Sequence, residues 1–113
     1  MATRELYKVI AQLSPAATTL TALYTVPAAT ATVISTIIVA NRANANRSMR
    51  IAIAVAGEAD NVKQYIAYDT AISGNGVQEF TVGLTLGAGD VVRVYGSTAD
   101  LTFSAFGTEI ANV

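Results

Sequence analysis

The sequence contains no cysteine, no histidine and no tryptophan, and these absences narrow its chemistry. Without cysteine the chain has neither a disulfide framework nor a thiolate nucleophile. Without histidine it lacks the commonest general base and the Ser–His and Cys–His catalytic pairs. The two lysines, Lys8 and Lys63, stand next to no serine. We therefore expect no enzymatic activity, no catalytic residues and no cofactor.

Charge is also scarce. Charged residues make up 13% of the 113 residues, whereas about 25% is usual in soluble domains. Hydrophobic residues make up 52%. A domain of this composition has difficulty covering its surface with polar groups, so we expect it to associate with copies of itself or with another subunit. The alternative is a weakly charged all-β monomer.

The seven cationic residues are scattered along the chain, and the net charge is −1. Binding to a phosphate backbone needs clustered positive charge, so nucleic acid is not an expected partner. Met1 precedes a short charged stretch rather than a secretory signal. The longest apolar run, around residues 33–40, is interrupted by Ser35 and Thr36 and is too short to cross a bilayer. We expect no membrane partner.

Residues 30–42 are rich in β-branched side chains, which pack well on a pleated surface. With period two, the apolar residues fall on both faces, with Val33, Ile37 and Val39 on one and Ile34, Ile38 and Ala40 on the other. This pattern predicts a central strand that is covered on both sides.

Residues 48–56 show the clearest alternation in the sequence. One face, predicted to be core, consists of Met49, Ile51, Ile53 and Val55. The other face is small and flat and consists of Ser48, Arg50, Ala52, Ala54 and Ala56. Either another chain packs on this second face, or alanine is tolerated there on an exposed strand. Arg50, Ala52 and Ala54 are therefore candidate contact residues.

Further strands are predicted at short, regular spacing, and the remaining segments carry turn signals. The other predicted strands are residues 5–13, 19–26, 62–68, 78–86, 91–95 and 101–110, and the turns are 41–47, 73–76, 87–90 and 96–100. Glycine and asparagine favour such turns because they tolerate left-handed backbone. We predict an all-β fold, an antiparallel sandwich of jelly-roll or immunoglobulin-like type with seven or eight strands.

Two groups of residues are weaker site candidates. Glu58, Asp60 and Asn61 could supply oxygen ligands to a hard cation, but their spacing is not that of an EF-hand, and a solvated loop is the alternative. Any of the eight acidic residues could in principle form a glycosidase-type pair, yet a short sandwich seldom offers the necessary pocket. The tyrosines Tyr24, Tyr65, Tyr68 and Tyr95 either form a binding surface or pack half-buried on the strands.

Five stretches carry a resemblance to a known family. They are residues 23–28 (LYTVPA), 39–42 (VANR), 63–69 (KQYIAYD), 84–95 (LTLGAGDVVRVY) and 103–107 (FSAFG). In this order they resemble small structural proteins of tailed bacteriophages, including cyanophages. The resemblance covers nearly the whole chain and rests on strand and turn signatures.

The resemblance implies a virion protein without catalytic residues. In such phages small β-sandwich proteins serve as capsid decoration (cement) proteins or as tail and fibre components. The expected partners are copies of the chain itself, as a dimer or trimer, and the major capsid protein. The expected location is the capsid surface, after assembly in the host cytoplasm. That compartment is reducing, so the absence of cysteine fits assembly there.

Residues 1–17 are then a candidate docking arm, with Arg4, Glu5 and Lys8 as polar contacts, and residues 18–113 form the sandwich domain. The alternative for residues 1–17 is an ordinary first strand. A tail-fibre or baseplate module that contacts the host would instead carry exposed aromatic residues on loops at one end. A carbohydrate-binding module would use Tyr65, Tyr68 or Tyr95 as a stacking platform.

Overall fold

The computed structural model describes residues 3–81 and 83–112, and this part of the chain folds almost entirely into strands. The nine strands are β1 (Thr3–Leu13), β2 (Thr21–Thr25), β3 (Thr30–Asn41), β4 (Arg47–Ala54), β5 (Tyr65–Ile72), β6 (Val77–Phe80), β7 (Leu84–Leu86), β8 (Val91–Gly96) and β9 (Leu101–Asn112). Two short 3-10 turns, Val55–Gly57 and Val62–Gln64, separate β4 from β5. None of the described residues belongs to a helix long and apolar enough to cross a membrane.

Two antiparallel sheets pack face to face. The first sheet has the order β1-β9-β3, with β6 and β7 both paired to the far side of β3. The second has the order β2-β8-β4-β5. Strand β1 pairs with β9, β2 with β8, β3 with β6 and β7, and β4 with β5, which is the nested-hairpin connectivity of a jelly roll. The predicted all-β sandwich is confirmed.

The structure has nine strands rather than the predicted seven or eight. The stretch 78–86, predicted as one strand, is divided into β6 and β7. Both halves pair with β3, so they share one strand position in the sheet. Gly83, between them, adopts a left-handed conformation with φ of +60°. This conformation breaks the strand and suits glycine because it has no Cβ.

β3 is a central strand, but only one of its faces is fully covered. The pairing between β3 and β9 shifts between Ile34 and Thr36, which marks a β-bulge at Ser35. The bulge changes the phase of the alternation, so Ile34 and Ile37 are both fully buried in the core. Ile38, on the outer face, is only partly buried. The prediction that both faces are covered was therefore wrong, and so was the placement of Ile34 opposite Ile37.

Gly107 on β9 makes this bulge possible. It lies opposite Ile34 in the register, and a Cβ at this position would overlap the carbonyl oxygen of Val33. The Ser35 hydroxyl donates to the carbonyl oxygen of Phe106 across the bulge, at 3.1 Å. The two strands therefore approach each other here more closely than any residue with a side chain would allow.

The core lies between the two sheets. Most of its fully buried side chains come from β3, β4, β8 and β9, and these are Ile34, Ile37, Val39, Met49, Ile51, Val92, Val94, Leu101, Phe103 and Ala105. Phe103 is the largest of them. The predicted core positions of Met49 and Ile51 are confirmed, whereas Val55 lies outside β4 and is exposed.

The asparagine-rich segment forms a turn as predicted, and Asn41 holds it in place. The Asn41 side chain is buried, and its Nδ2 donates to the carbonyl oxygens of Ala45 at 2.9 Å and Ile72 at 3.1 Å. Its Oδ1 accepts from the backbone N–H of Ala43 at 3.0 Å. One amide therefore joins the β3–β4 connection to the end of β5.

Candidate interaction surfaces

The predicted flat face of β4 is not open to another chain at its two alanines. Ala52 and Ala54 are both fully buried, although they lie outside the central core cluster. Arg93, directly opposite Ala52 in the register, donates to the carbonyl oxygens of Gly57 at 3.3 Å and Glu58 at 2.8 Å. The segment 55–64 therefore folds back over this face. This corrects the expectation that Ala52 and Ala54 form a contact surface.

Arg50, the third candidate on β4, is bound within its own chain. Its guanidinium lies 4.1 Å from the ring centroid of Tyr68 and 4.3 Å from that of Tyr95. It also donates to both carboxylate oxygens of Asp69, at 2.7 and 3.3 Å. Hydrogen bonding to Asp69 raises the pKa of Arg50, although burial acts against this. Arg50 is therefore a fixed element of the second sheet.

A β-bulge in β5 builds this arrangement. Met49 is opposite Thr70 and Ile51 is opposite Ala67, so Arg50 alone faces two residues of β5, Tyr68 and Asp69. Asp69 adopts a left-handed conformation with φ of +52°, which aspartate tolerates better than most residues. The extra residue brings a ring and a carboxylate to the same guanidinium.

Tyr65 and Tyr68 form an open aromatic corner beside this bulge. Their ring centroids are 5.0 Å apart and their planes make an angle of 85°. Together with Val62 they line a hollow of about 440 Å³. Tyr68 is 57% exposed and Val62 is 88% exposed. The Tyr65 hydroxyl donates to Oδ1 of Asp60 at 3.0 Å, which fixes the second wall of the corner.

Tyr24, in contrast, is half-buried against the core, and its hydroxyl links the two sheets. Its hydroxyl is 2.8 Å from the Thr32 hydroxyl and donates to the carboxylate of Glu109. Burial and the Glu109 carboxylate raise the pKa of Tyr24 to about 12. Of the four tyrosines singled out in the sequence, Tyr24 is therefore a packing residue, while Tyr65 and Tyr68 form a surface feature.

The arm candidates lie on β1, the edge strand of the first sheet. β1 pairs with β9 along its length, so the described residues of the segment 1–17 include an ordinary sheet strand. Arg4 and Glu5 are exposed on this strand. Lys8 donates to Glu109 at 2.8 Å, and this contact, followed by that from Tyr24, lowers the pKa of Glu109. Met1 and Ala2 lie outside the described residues.

The acidic loop offers no converging ligand set. Glu58 forms an ion pair with Lys63 at 3.3 Å, and Oδ1 of Asn61 accepts from the backbone N–H of Lys63. Asp60 accepts from Tyr65. Among the described residues there is no group of three acidic side chains that could hold a metal ion. One side-chain oxygen of each of these three residues is thus used in a local contact.

The outer face of the first sheet is broad and poor in charge. The register places on this face the apolar side chains Tyr7, Val9, Val33, Ile38, Val77, Phe106 and Ile110, interspersed with Thr36, Thr85, Thr102, Thr108 and Ser104. Tyr7 is 79% exposed and Val77 is 57% exposed. The charged side chains of the described residues lie at its margins: Glu5 on β1, Glu79 on β6 and Arg42 beyond the end of β3.

The sequence predicted a flat face on β4, whereas the broad charge-poor face of the structure lies on the first sheet. A signal for this face was present in residues 30–42, where Ile38 and Ala40 alternate with the core residues Ile37 and Val39. These outer residues of β3 were predicted to be covered, because the alternation pattern does not show whether another part of the chain packs on them. The aromatic corner depends on the β5 bulge and left no periodic signal.

The fold and its surfaces define a jelly-roll sandwich with one broad charge-poor sheet face and one small aromatic corner. Neither a protein-family model nor a curated protein matches the chain.

Proposed function

We propose that this chain is a structural protein of a tailed-phage virion, most specifically a capsid decoration protein that bridges neighbouring capsid subunits. The resemblance of the strand and turn motifs to small phage structural proteins supports this proposal. The jelly-roll connectivity supports it by analogy, since this architecture recurs in viral capsid domains. The observation that carries the proposal is the charge-poor outer face of the first sheet.

The dimensions of that face suit a protein interface. Four strand positions about 4.8 Å apart, each with about nine residues rising 3.3 Å, give a flat area of roughly 500–600 Å². Side-chain relief increases the accessible area above this value, towards the roughly 800 Å² per partner of a standard interface. Charged groups lie only at the margins, so little charge has to leave water when the face is covered.

The face is better suited to association than the neighbouring edge. β1 is an edge strand, and unpaired edges can recruit a strand from another chain. On β1, however, Lys8 lies on the inner side of the sheet and pairs with Glu109, and inward-pointing charges of this kind protect edges. Packing of the outer face on copies of the chain and on the major capsid protein is therefore the favoured mode.

Reinforcement of the capsid would follow from repetition. A single contact of this size is modest, but many copies linked through the shell act together, and avidity exceeds the affinity of any one contact. The proposed location is the capsid surface, with assembly in the host cytoplasm. A dimer or trimer that spans a junction between capsomers would resist outward pressure mechanically.

The placement of the aromatic residues favours the capsid over the tail. A host-contacting tail module would carry its aromatic residues on loops at one end of the domain. Here Tyr65 and Tyr68 belong to strand β5, and the exposed Tyr7 lies on the other sheet. The exposed aromatic residues are thus divided between two faces.

A cryo-EM map of the native particle tests the location. We expect density for the jelly roll over capsomer junctions, with the first sheet facing its neighbours. Density on the tail alone would overturn the capsid assignment. A protein absent from purified particles by mass spectrometry would overturn the virion assignment altogether.

Rebinding to particles that lack the protein tests the face. Val9→Asp and Val77→Asp each place a carboxylate on the outer face, and we expect at least a tenfold loss of occupancy, because desolvating an unpaired charge is costly. Val55→Asp is the matched control, since Val55 is also exposed but lies outside the first sheet. Equal loss in all three variants, or in none, would contradict the role of this face.

A further inference from the structure

We propose that the aromatic corner formed by Val62, Tyr65 and Tyr68 binds a neutral pyranose ring of a saccharide. This inference concerns the second sheet and does not depend on the proposed capsid role. The corner is open to solvent, and its walls are two rings at nearly a right angle and one aliphatic side chain.

The corner is rigid before any ligand arrives. On one side of Tyr68 the Arg50 guanidinium lies 4.1 Å from the ring centroid, and that guanidinium is itself held by Tyr95 and Asp69. The Tyr65 ring is held through its hydroxyl by Asp60. A pre-formed site loses little conformational entropy on binding, so even a small ligand retains measurable affinity.

The size of the hollow indicates a small ligand rather than a protein. Its volume of about 440 Å³ falls within the 300–1,000 Å³ range of small-molecule sites. Among the residues that the structure describes, three line it, whereas a protein interface uses about 20–30 residues on each side. Val62, at 88% exposed, forms the open aliphatic side of the hollow.

The chemistry of the walls and rim matches a sugar. The negative face of an aromatic ring attracts the weakly positive C–H groups on the apolar side of a pyranose, and the ring of Tyr68, which is 57% exposed, lines the hollow. Asp60 uses only Oδ1 for Tyr65, and Oδ2 accepts no hydrogen bond from any residue that the structure describes. A carboxylate oxygen next to the Tyr65 hydroxyl, beside one wall of the hollow, is suited to accept from a sugar hydroxyl.

A quaternary ammonium ion is the main competitor for an aromatic site, and the structure disfavours it. Cation recognition uses several aromatic faces that surround the charge. Here there are only two rings, and one face of Tyr68 is already engaged by a guanidinium cation. The corner is therefore better suited to a flat neutral ring laid against Tyr68.

Titration of the ¹⁵N-labelled full chain with methyl glucoside, methyl galactoside and N-acetylglucosamine tests the proposal by NMR. A monosaccharide in an open hollow should bind with a Kd of about 1–10 mM. For at least one of these probes we expect saturable shifts in the amides of residues 60–69. Absence of saturable shifts with all three, or saturable shifts that map elsewhere, would overturn the proposal.

Three variants sharpen the result. Tyr68→Ala removes the stacking face, and Val62→Asp changes the third wall without touching Arg50, so both should weaken binding at least tenfold. Tyr7→Ala is the matched control, because Tyr7 is an exposed tyrosine on the other sheet, and its Kd should stay within about twofold of wild type. Equal weakening in Tyr7→Ala, or stronger binding of choline chloride than of any sugar at the same amides, would refute the saccharide site.

Discussion

Replacement of Tyr24 by phenylalanine removes a single oxygen atom, and we expect this change to destabilise the fold strongly. The hydroxyl contacts Thr32, which is fully buried, and the carboxylate of Glu109. A neutral hydrogen bond contributes about 0.5–1.5 kcal/mol and one to a charged group about 1.5–3 kcal/mol. The buried Thr32 hydroxyl would also lose its partner. We expect the free energy of unfolding to fall by about 2–4 kcal/mol.

Urea denaturation measures this change as a shift in the midpoint at constant slope. Tyr7→Phe is the matched control, because the Tyr7 hydroxyl makes only an exposed contact of 3.4 Å with Glu5. We expect a change of less than about 0.5 kcal/mol in that variant. Similar losses in both variants, or a loss below about 1 kcal/mol in Tyr24→Phe, would refute the role assigned to the buried network.

The same network predicts how stability depends on pH. Because the pKa of Tyr24 is raised from 10.0 to about 12 in the fold, its contribution is complete below pH 10 and is lost as the pH rises towards 12. The pKa of Glu109 is lowered, so its contribution is present above about 4.5 and is lost as the pH falls through the folded value. In Tyr24→Phe the alkaline loss should be smaller than in wild type. An unchanged alkaline limb would contradict this assignment.

Three further changes test other features of the fold. Gly107→Ala should lower the free energy of unfolding in urea by more than about 3 kcal/mol, because a Cβ there would overlap the backbone of β3. Gly83→Ala should lower it by only about 1 kcal/mol, because nothing lies near its Cβ and only the left-handed φ is strained. Equal losses in the two variants would contradict the close approach at the bulge. Asn41→Ala should lower the free energy of unfolding by about 2–3 kcal/mol in the same assay, because buried backbone groups lose their hydrogen-bond partners. A loss under about 1 kcal/mol would show that water replaces the side-chain amide. Arg93→Ala should release the segment 55–64 from β8. Hydrogen exchange of the backbone amides of residues 55–64 should then become at least tenfold faster, while the amides of β4 stay protected. Unchanged exchange rates would mean that other contacts hold the segment.

The period-two pattern predicted the strands well because alternation needs only local information. The strand over residues 101–110 was placed correctly, the strand over 48–56 was correct as far as Ala54, and Met49, Ile51 and Phe103 are in the core. The pattern could not show the bulges. One extra residue at Ser35 reverses which side chains face inward, and no local feature of residues 30–42 announces it.

The surfaces were harder to predict than the strands. Ala52 and Ala54 have the small flat character of an interface, but a segment of the same chain covers them. That cover depends on Arg93, which is about forty residues away in sequence. Tyr68 reaches solvent through a bulge that pairs two residues with one. Both features depend on how residues far apart in sequence pair across the sheet, and the period-two pattern of one strand carries no information about this pairing.

The position of β9 imposes an order on the assembly of the domain. β9 is the last of the nine strands in the chain, yet it lies between β1 and β3 and supplies Phe103 to the core. During synthesis β3 can pair with β6 and β7 first, but β1 has no partner strand in the first sheet until residues 101–112 have left the ribosome, some ninety residues later. The second sheet does not contain β9. Insertion of β9 therefore joins β1 to β3 and completes the first sheet, and translation supplies this strand after the other eight.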